Sequence, residues 1–212
     1  MTALSDLVYG KGSGPWPHFT DKYPVKVQQL TGPFGIGLDN EQLEKDIREA
    51  GDDLQGRTAA KCLMTRWDMH TVYQSFVFVS EKAMEIADAC PLATRTDTKG
   101  NTLKVPLYLN ETWGLIYTKG QSAKIHNHWP SLWSYTYCVS ACGHCSPLVF
   151  PTTEGVPYVV FPKTSQIVVF PSWLHHEVPE HKCDHDRIML SGNLNVEREN
   201  ACLLYTSPSP RD

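Results

Sequence analysis

The sequence predicts a mainly β protein with helices near its N-terminus. Two observations carry that prediction. Up to about residue 90, apolar residues recur at helical spacing in one segment, and a helix start signal opens another. Beyond Cys90 the texture changes to short β-rich runs broken by Gly, Pro, Ser and Thr, the pattern of a sandwich or barrel. The 212 residues are 41% apolar and 20% charged, which suffices for one domain with a buried core.

Residues 1–37 are rich in Gly, Pro and aromatics (Pro15-Trp16-Pro17, Gly32-Pro33-Phe34-Gly35) and read as extended loop with one strand around Tyr23–Leu30. A helix begins at Asn40, its expected N-cap, and runs to about Ala50, where Gly51 stops it. A second helix is expected over Tyr73–Ala89, with Phe76, Val79, Ala83, Ile86 and Ala87 on one face. The helical part thus spans about 38–90 and the β core about 103–196. Strands are expected at Glu111–Lys119, Leu132–Val139, Leu148–Phe150, Tyr158–Phe161, Gln166–Phe170 and Arg187–Asn195. No internal repeat is present, and a single domain is expected over 1–200. The end of the chain, Leu203 to Asp212, reads LLYTSPSPRD. It resembles a translated adapter or cloning scar, or a disordered tail, and residues 201–212 are set aside from functional reasoning.

Composition excludes several classes. Basic residues number 19 against 23 acidic, for a net charge of -4, and no dense Lys/Arg run suggests nucleic acid. No stretch approaches the roughly 18 apolar residues of a membrane span. Met1 to Gly14 does not read as a signal peptide. The expected location is cytoplasmic, where the seven cysteines would be thiols rather than a disulfide framework.

Seven of the nine histidines lie between residues 126 and 185. His126-Asn127-His128 is the most telling group. In a strand, residues i and i+2 share a face, so His126 and His128 can hold one metal ion together. The pair His175-His176 offers a third ligand. Neutral imidazole suits Fe, Zn, Cu and Ni alike, and three ligands on one face leave the opposite positions open. No Asp or Glu occurs between Glu111 and Glu154. The usual facial triad of non-haem iron oxygenases has two His and one carboxylate. Here His128 stands at the carboxylate's place; it either ligates or leaves the position to water or Glu177.

At these residues the chain resembles a family of 2-oxoglutarate/Fe(II) oxygenases, distantly prolyl-hydroxylase-like, of bacterial and phage type. His126-Asn127-His128 is followed by Ser131, Ser134 and Tyr137, as in the family's paired strands. Val168-Val169-Phe170-Pro171-Ser172-Trp173-Leu174 is similar to its distal strand, and His176 matches the distal metal ligand. Arg187-Ile188-Met189-Leu190-Ser191-Gly192-Asn193 is similar to its co-substrate strand. Cys62-Leu63-Met64-Thr65-Arg66-Trp67-Asp68-Met69-His70 looks like an upstream motif of the phage branch. The likeness covers roughly residues 58–195. It departs from the family in the proximal carboxylate and in Met189, where many relatives carry a Ser.

The resemblance implies a double-stranded β-helix, a jelly roll of two sheets. It implies Fe(II) held by His126, His128 and His176, and 2-oxoglutarate as co-substrate, released as succinate and CO2 while a substrate is hydroxylated. Arg187 would pair with the far carboxylate of 2-oxoglutarate, since its fork matches a carboxylate. Tyr137, Ser134 and Asn193 would assist. The substrate is expected to be a small molecule or a peptidyl group.

Other readings stand beside this one. Arg187 could pair with Glu177 or Asp184, and Tyr137 could be a core aromatic. His175 should point away from His176, and His18 and His70 read as structural. Trp129, Trp133 and Trp173 are core or rim residues, or line a substrate mouth. Cys142-Gly143-His144-Cys145 has zinc-knuckle spacing, with Cys138, Cys183 and His185 elsewhere, but no second CxxC follows, so ordinary thiols are the default. A cupin-type enzyme that does not use 2-oxoglutarate is the first rival function, although no Glu follows His128 closely. A non-catalytic jelly-roll module is the second.

Overall fold

A computed structural model of the chain describes residues 25–30, 39–51, 53–54, 58–90, 94–151 and 157–196. The strands are β1 (Lys26–Gln29), β2 (Ala60–Lys61), β3 (Leu63–Met64), β4 (Thr94–Thr96), β5 (Thr102–Lys104), β6 (Leu107–Tyr117) and β7 (Ser122–His126). They continue as β8 (Trp133–Ser140), β9 (Leu148–Phe150), β10 (Tyr158–Val160), β11 (Gln166–Pro171), β12 (His176–Val178) and β13 (Arg187–Val196). Two helices, α1 (Asn40–Ala50) and α2 (Gln74–Asp88), precede the β core.

The strands form a larger sheet in the order β1-β11-β8-β13-β6-β3 and a smaller one in the order β10-β9-β12-β7-β2. Their paired strands run antiparallel, and the two-sheet arrangement is the expected jelly roll. The β4–β5 hairpin stands apart as its own two-stranded sheet.

Side-chain alternation divides the larger sheet into two faces. Trp113, Leu115, Tyr117, Cys138, Val168, Phe170 and Met189 join the core that also holds Ala123, Leu148 and Val178 of the smaller sheet. Ile116, Trp133, Tyr135, Tyr137, Ile167, Ile188 and Leu190 join the core built on the helices, with Leu43, Ile47, Phe76, Val79 and Ala83. The cavity lined by His126, His128 and His176 opens from the first face; the second seats the sheet on its helical support.

The helices start and stop for local reasons. Asp39, not Asn40, is the N-cap of α1: its Oδ1 accepts from the backbone N–H of Glu41 and Gln42 at 3.0 and 3.2 Å. Asn40 is the first helical residue, and its side chain turns to the sheet. Gly51 ends α1 at φ 71°, a left-handed conformation that glycine adopts without a Cβ penalty. In α2 the buried residues are Phe76, Val79, Ser80, Ala83 and Ala87, while Ile86 is only partly covered. Gly114 faces α1, and a Cβ there would lie 2.6 Å from Ile47 Cγ1, so this glycine permits the close approach of helix and sheet.

Several boundaries differ from the sequence expectation. β6 starts four residues before Glu111, and strands β1, β2 and β3 join the two main sheets from well before residue 103. The two-residue strands β2 and β3 and the three-residue β12 are too short to show a period. The strand expected at Tyr23–Leu30 is Lys26–Gln29 within the described residues. The other expectations for the first 24 residues and for the C-terminal tail lie outside them. No helix among the described residues is long and apolar enough to cross a membrane.

Candidate metal centre

The smaller sheet brings the histidines together. His126 closes β7 and is the register partner of His176, which opens β12. His128 lies beyond the end of β7 rather than within a strand, a correction to the strand-face argument for the pair. A hydrogen bond from its backbone N–H to Ser172 O, 2.7 Å, anchors it instead. The ring centroids are 4.4 Å apart for His126–His176 and 5.1 Å for each of the other two pairs. One ring nitrogen from each residue lies within 4.8 Å of the other two, close enough to hold one ion.

Backbone carbonyls select the tautomers. His126 Nδ1 is 2.6 Å from Lys124 O, and His176 Nδ1 is 3.0 Å from Leu174 O. A carbonyl only accepts, so each Nδ1 carries the proton and each Nε2 keeps its lone pair. Burial keeps the rings neutral. It lowers the pKa of His126, takes His128 down to about 3 with help from repulsion by His126, and drops His176 well below its ordinary value. The rings therefore need not shed protons to bind a cation at neutral pH. His175 is exposed and turned outward, its Nε2 3.3 Å from Asn127 Nδ2, as alternation predicts. Glu177 does not line the cavity and forms no metal cluster with these histidines, so the geometry does not support it as a substitute carboxylate.

A cavity of about 340 Å³ adjoins the histidines and is lined among others by Tyr117, Thr136, Phe170, Arg187, Ser191 and Asn193. Arg187 is 2% exposed, and its Nε has no hydrogen-bond partner among the described residues. Its guanidinium carbon stands 5.0 Å from the centroid of the Tyr117 ring, a cation–π geometry. The acidic groups nearest in sequence are engaged elsewhere: Asp184 with Lys119 and Asp186 with Arg48. A buried guanidinium with no carboxylate partner among the described residues is costly and is suited to receive an anion.

Asn193 also lines the cavity. Its Nδ2 donates to Glu111 Oε2 at 2.9 Å, and its Oδ1 accepts from Ser134 Oγ at 2.8 Å. Ser134 also bonds Ser172 Oγ at 2.8 Å. Ser134 therefore sits behind Asn193 and fixes its amide; it does not line the cavity.

Tyr137 requires a correction. The odd-numbered residues of β8 face the helices, and the Tyr137 hydroxyl donates to Asn40 Oδ1 at 2.8 Å. The phenol that does meet Arg187 is Tyr117, its register partner on β6. Burial pushes the Tyr117 pKa strongly up, so the phenol stays protonated and able to donate. The sequence reading missed Tyr117 and Glu111. The available signal was alternation: Tyr117 shares its parity with Trp113 and Leu115, which face the other sheet. Trp133 is fully buried against the helices and does not line a mouth, whereas Trp129 is 71% exposed.

No protein-family model matches the sequence, and no curated protein matches it either. Its fold is that of the prolyl hydroxylases and 2-oxoglutarate-Fe(II) oxygenases. Among solved structures, the viral collagen prolyl hydroxylase of Paramecium bursaria Chlorella virus-1, in its 2-oxoglutarate complex, aligns at TM-score 0.59 with 13% identity over 82% of this chain and 96% of that one. A Trichoplax adhaerens prolyl hydroxylase, in complex with a hypoxia-inducible-factor peptide, aligns at TM-score 0.61 with 12% identity over 84% and 86%. HygX of Streptomyces hygroscopicus, with iron bound, aligns at TM-score 0.55 with 11% identity over 83% of each chain. At such identities the likeness establishes the fold.

Proposed function

We propose that this protein is an Fe(II)- and 2-oxoglutarate-dependent oxygenase that hydroxylates a small-molecule or peptidyl substrate. The observation that carries this reading is the presence, around one cavity, of three neutral imidazoles and a buried guanidinium that has no carboxylate partner among the described residues.

The residues fit both groups. His126, His128 and His176 would hold Fe(II) through nitrogen lone pairs that burial keeps free of protons. Arg187 would take the far carboxylate of 2-oxoglutarate in a charge-assisted fork, and the Tyr117 phenol would donate beside it. When bound, iron and 2-oxoglutarate supply oxidation of a substrate C–H bond by dioxygen, with release of succinate and CO2. The chain's own part is to bind, orient and exclude water. Three neutral ligands bring no negative charge to the metal, so the anionic co-substrate is held more strongly at such a centre than at one with a carboxylate ligand. Ser134 and Asn193 hold the Glu111 carboxylate at the cavity wall, where it can accept a hydrogen bond from substrate. Trp67 lines the cavity, and both Trp67 and Trp129 are exposed, offering aromatic surface to an incoming ligand.

The domain is proposed to span residues 1–200 and to work in the cytoplasm without a nucleic-acid partner, in keeping with a net charge of -4. The deciding experiment adds Fe(II) and 2-oxoglutarate anaerobically to protein stripped of iron and records the visible spectrum. A weak charge-transfer band that is lost in His176→Ala is the expected result. Iron binding without any band refutes the 2-oxoglutarate assignment and favours a cupin-like reaction. Failure to bind iron refutes the oxygenase altogether.

A further inference from the structure

We propose that Cys142, Cys145, Cys183 and His185 bind a structural zinc ion, at a site that shares no residue with the histidine centre. Sequence spacing alone offers one CxxC pair. The fold supplies the other half by bringing the loop between β12 and β13 against the loop between β8 and β9.

The three sulfurs form a nearly equilateral triangle, with Cys142–Cys145 at 3.6 Å and Cys183 at 3.8 Å from each. Tetrahedral zinc with Zn–S bonds of about 2.3 Å places its sulfurs about 3.8 Å apart. A disulfide would draw two sulfurs to about 2.05 Å and leave the third aside. The compact group is the three sulfurs; His185 Nδ1 lies outside it, 3.9 Å from Cys145 Sγ, and would turn inward to supply the fourth donor. The backbone N–H of Cys142 points at Cys145 Sγ, 3.3 Å away, an arrangement that supports thiolate charge.

His181 is close but already committed. Its Nδ1 accepts from the Ser146 N–H at 3.3 Å, and its Nε2 donates to His185 O at 2.7 Å while lying 3.4 Å from Cys183 Sγ. It is fully buried and holds the Cys183–His185 turn in place from behind. The proposed donor set is thus the three sulfurs, completed by the His185 nitrogen once its ring turns toward them. That set selects zinc over the hard divalent cations. Binding releases three thiol protons and leaves the centre with a charge of -1. The ion would clamp the two loops together and fix the start of β13, because His185 lies two residues before Arg187.

The test uses the full-length, reduced protein after iron has been removed with a mild chelator. Metal analysis is expected to find one zinc per chain, released when a mercurial titrates the thiols. His176→Ala should retain that zinc, whereas Cys145→Ser should lose at least nine-tenths of it. Because Cys145→Ser can fail to fold, cobalt replacement in the unaltered chain gives an independent readout. Intense visible bands of tetrahedral cobalt with thiolate charge transfer in the near ultraviolet support the site. Weak octahedral bands alone overturn it. So do a Cys142–Cys145 disulfide found by mass mapping, and zinc that disappears with His176→Ala but not with Cys145→Ser. Failure of the iron spectrum described above would leave these outcomes unchanged.

Discussion

Replacing Arg187 with methionine separates an anion anchor from a structural arginine. The side chain is 2% exposed, its Nε lacks a partner among the described residues, and the Tyr117 ring lies 5.0 Å from its guanidinium carbon. If Arg187 awaits a carboxylate, the empty protein bears its desolvation cost with little return. Methionine keeps most of the stem volume and removes the charge, so Arg187→Met should leave the empty protein as stable as before, or more stable by about 1–3 kcal/mol. Loss of a buried arginine that already has an anionic partner would instead cost about 3–5 kcal/mol. Binding should respond in the opposite sense. Each charge-assisted hydrogen bond contributes about 1.5–3 kcal/mol, so losing a two-bond fork costs about 3 kcal/mol or more, over a hundredfold in affinity. Urea denaturation of the metal-free protein and anaerobic titration of the iron protein with 2-oxoglutarate measure the two effects. Unchanged 2-oxoglutarate affinity, or a loss of several kcal/mol in the empty protein, would refute the reasoning.

Tyr137→Phe should cost about 1 kcal/mol of stability, the value of one buried neutral hydrogen bond to Asn40, and leave 2-oxoglutarate affinity unaltered; paired denaturation and binding titrations check both. Gly114→Ala places a methyl 2.6 Å from Ile47 Cγ1 and should destabilise by about 1–3 kcal/mol, and combining it with Ile47→Ala should cost less than the two separately in denaturant midpoints. The metal-free protein should lose stability as pH falls below about 6.5, because His126, His128 and His176 have folded-state pKa values below the unfolded one and only the unfolded chain takes up their protons. The loss for His128 should level off near pH 3. Its sign is that of a buried neutral base: no effect above the unfolded pKa, and a slope of up to about 1.4 kcal/mol per pH unit and group below it. Denaturation midpoints across that range, with a shallower slope in His176→Ala, provide the check.

The parts of the fold legible in the sequence were those whose period is long enough to register. Helix α2 carries apolar residues at helical spacing over four turns, and β8, β11 and β13 are long runs bounded by turns. The short strands β2, β3 and β12 are held by neighbours rather than by their own pattern, and they escaped. The N-cap moved by one residue for a related reason. Asp39 and Asn40 are both good caps by type, and the tertiary bonds of Asn40 to Ser165 and Tyr137 decide which one caps.

The site shows where type and spacing stop being sufficient. His126 and His176 could be matched by spacing because one backbone register joins them, whereas His128 owes its place to a backbone bond from beyond the strand end. Ser134 and Tyr137 lie three residues apart on β8, so a strand must send them to opposite faces. A pattern that assigns both to one ligand therefore contradicts itself. The same parity, carried across the register from Arg187 on β13 to its partner on β6, leads to Tyr117. That step needs the pairing of two strands seventy residues apart in the chain, which periodicity within either strand does not contain. The cysteines obey the same logic. Cys142 and Cys145 are visible as a pair, but Cys183 and His185 reach them through contact of two loops, so the second half of the zinc cluster follows from topology alone.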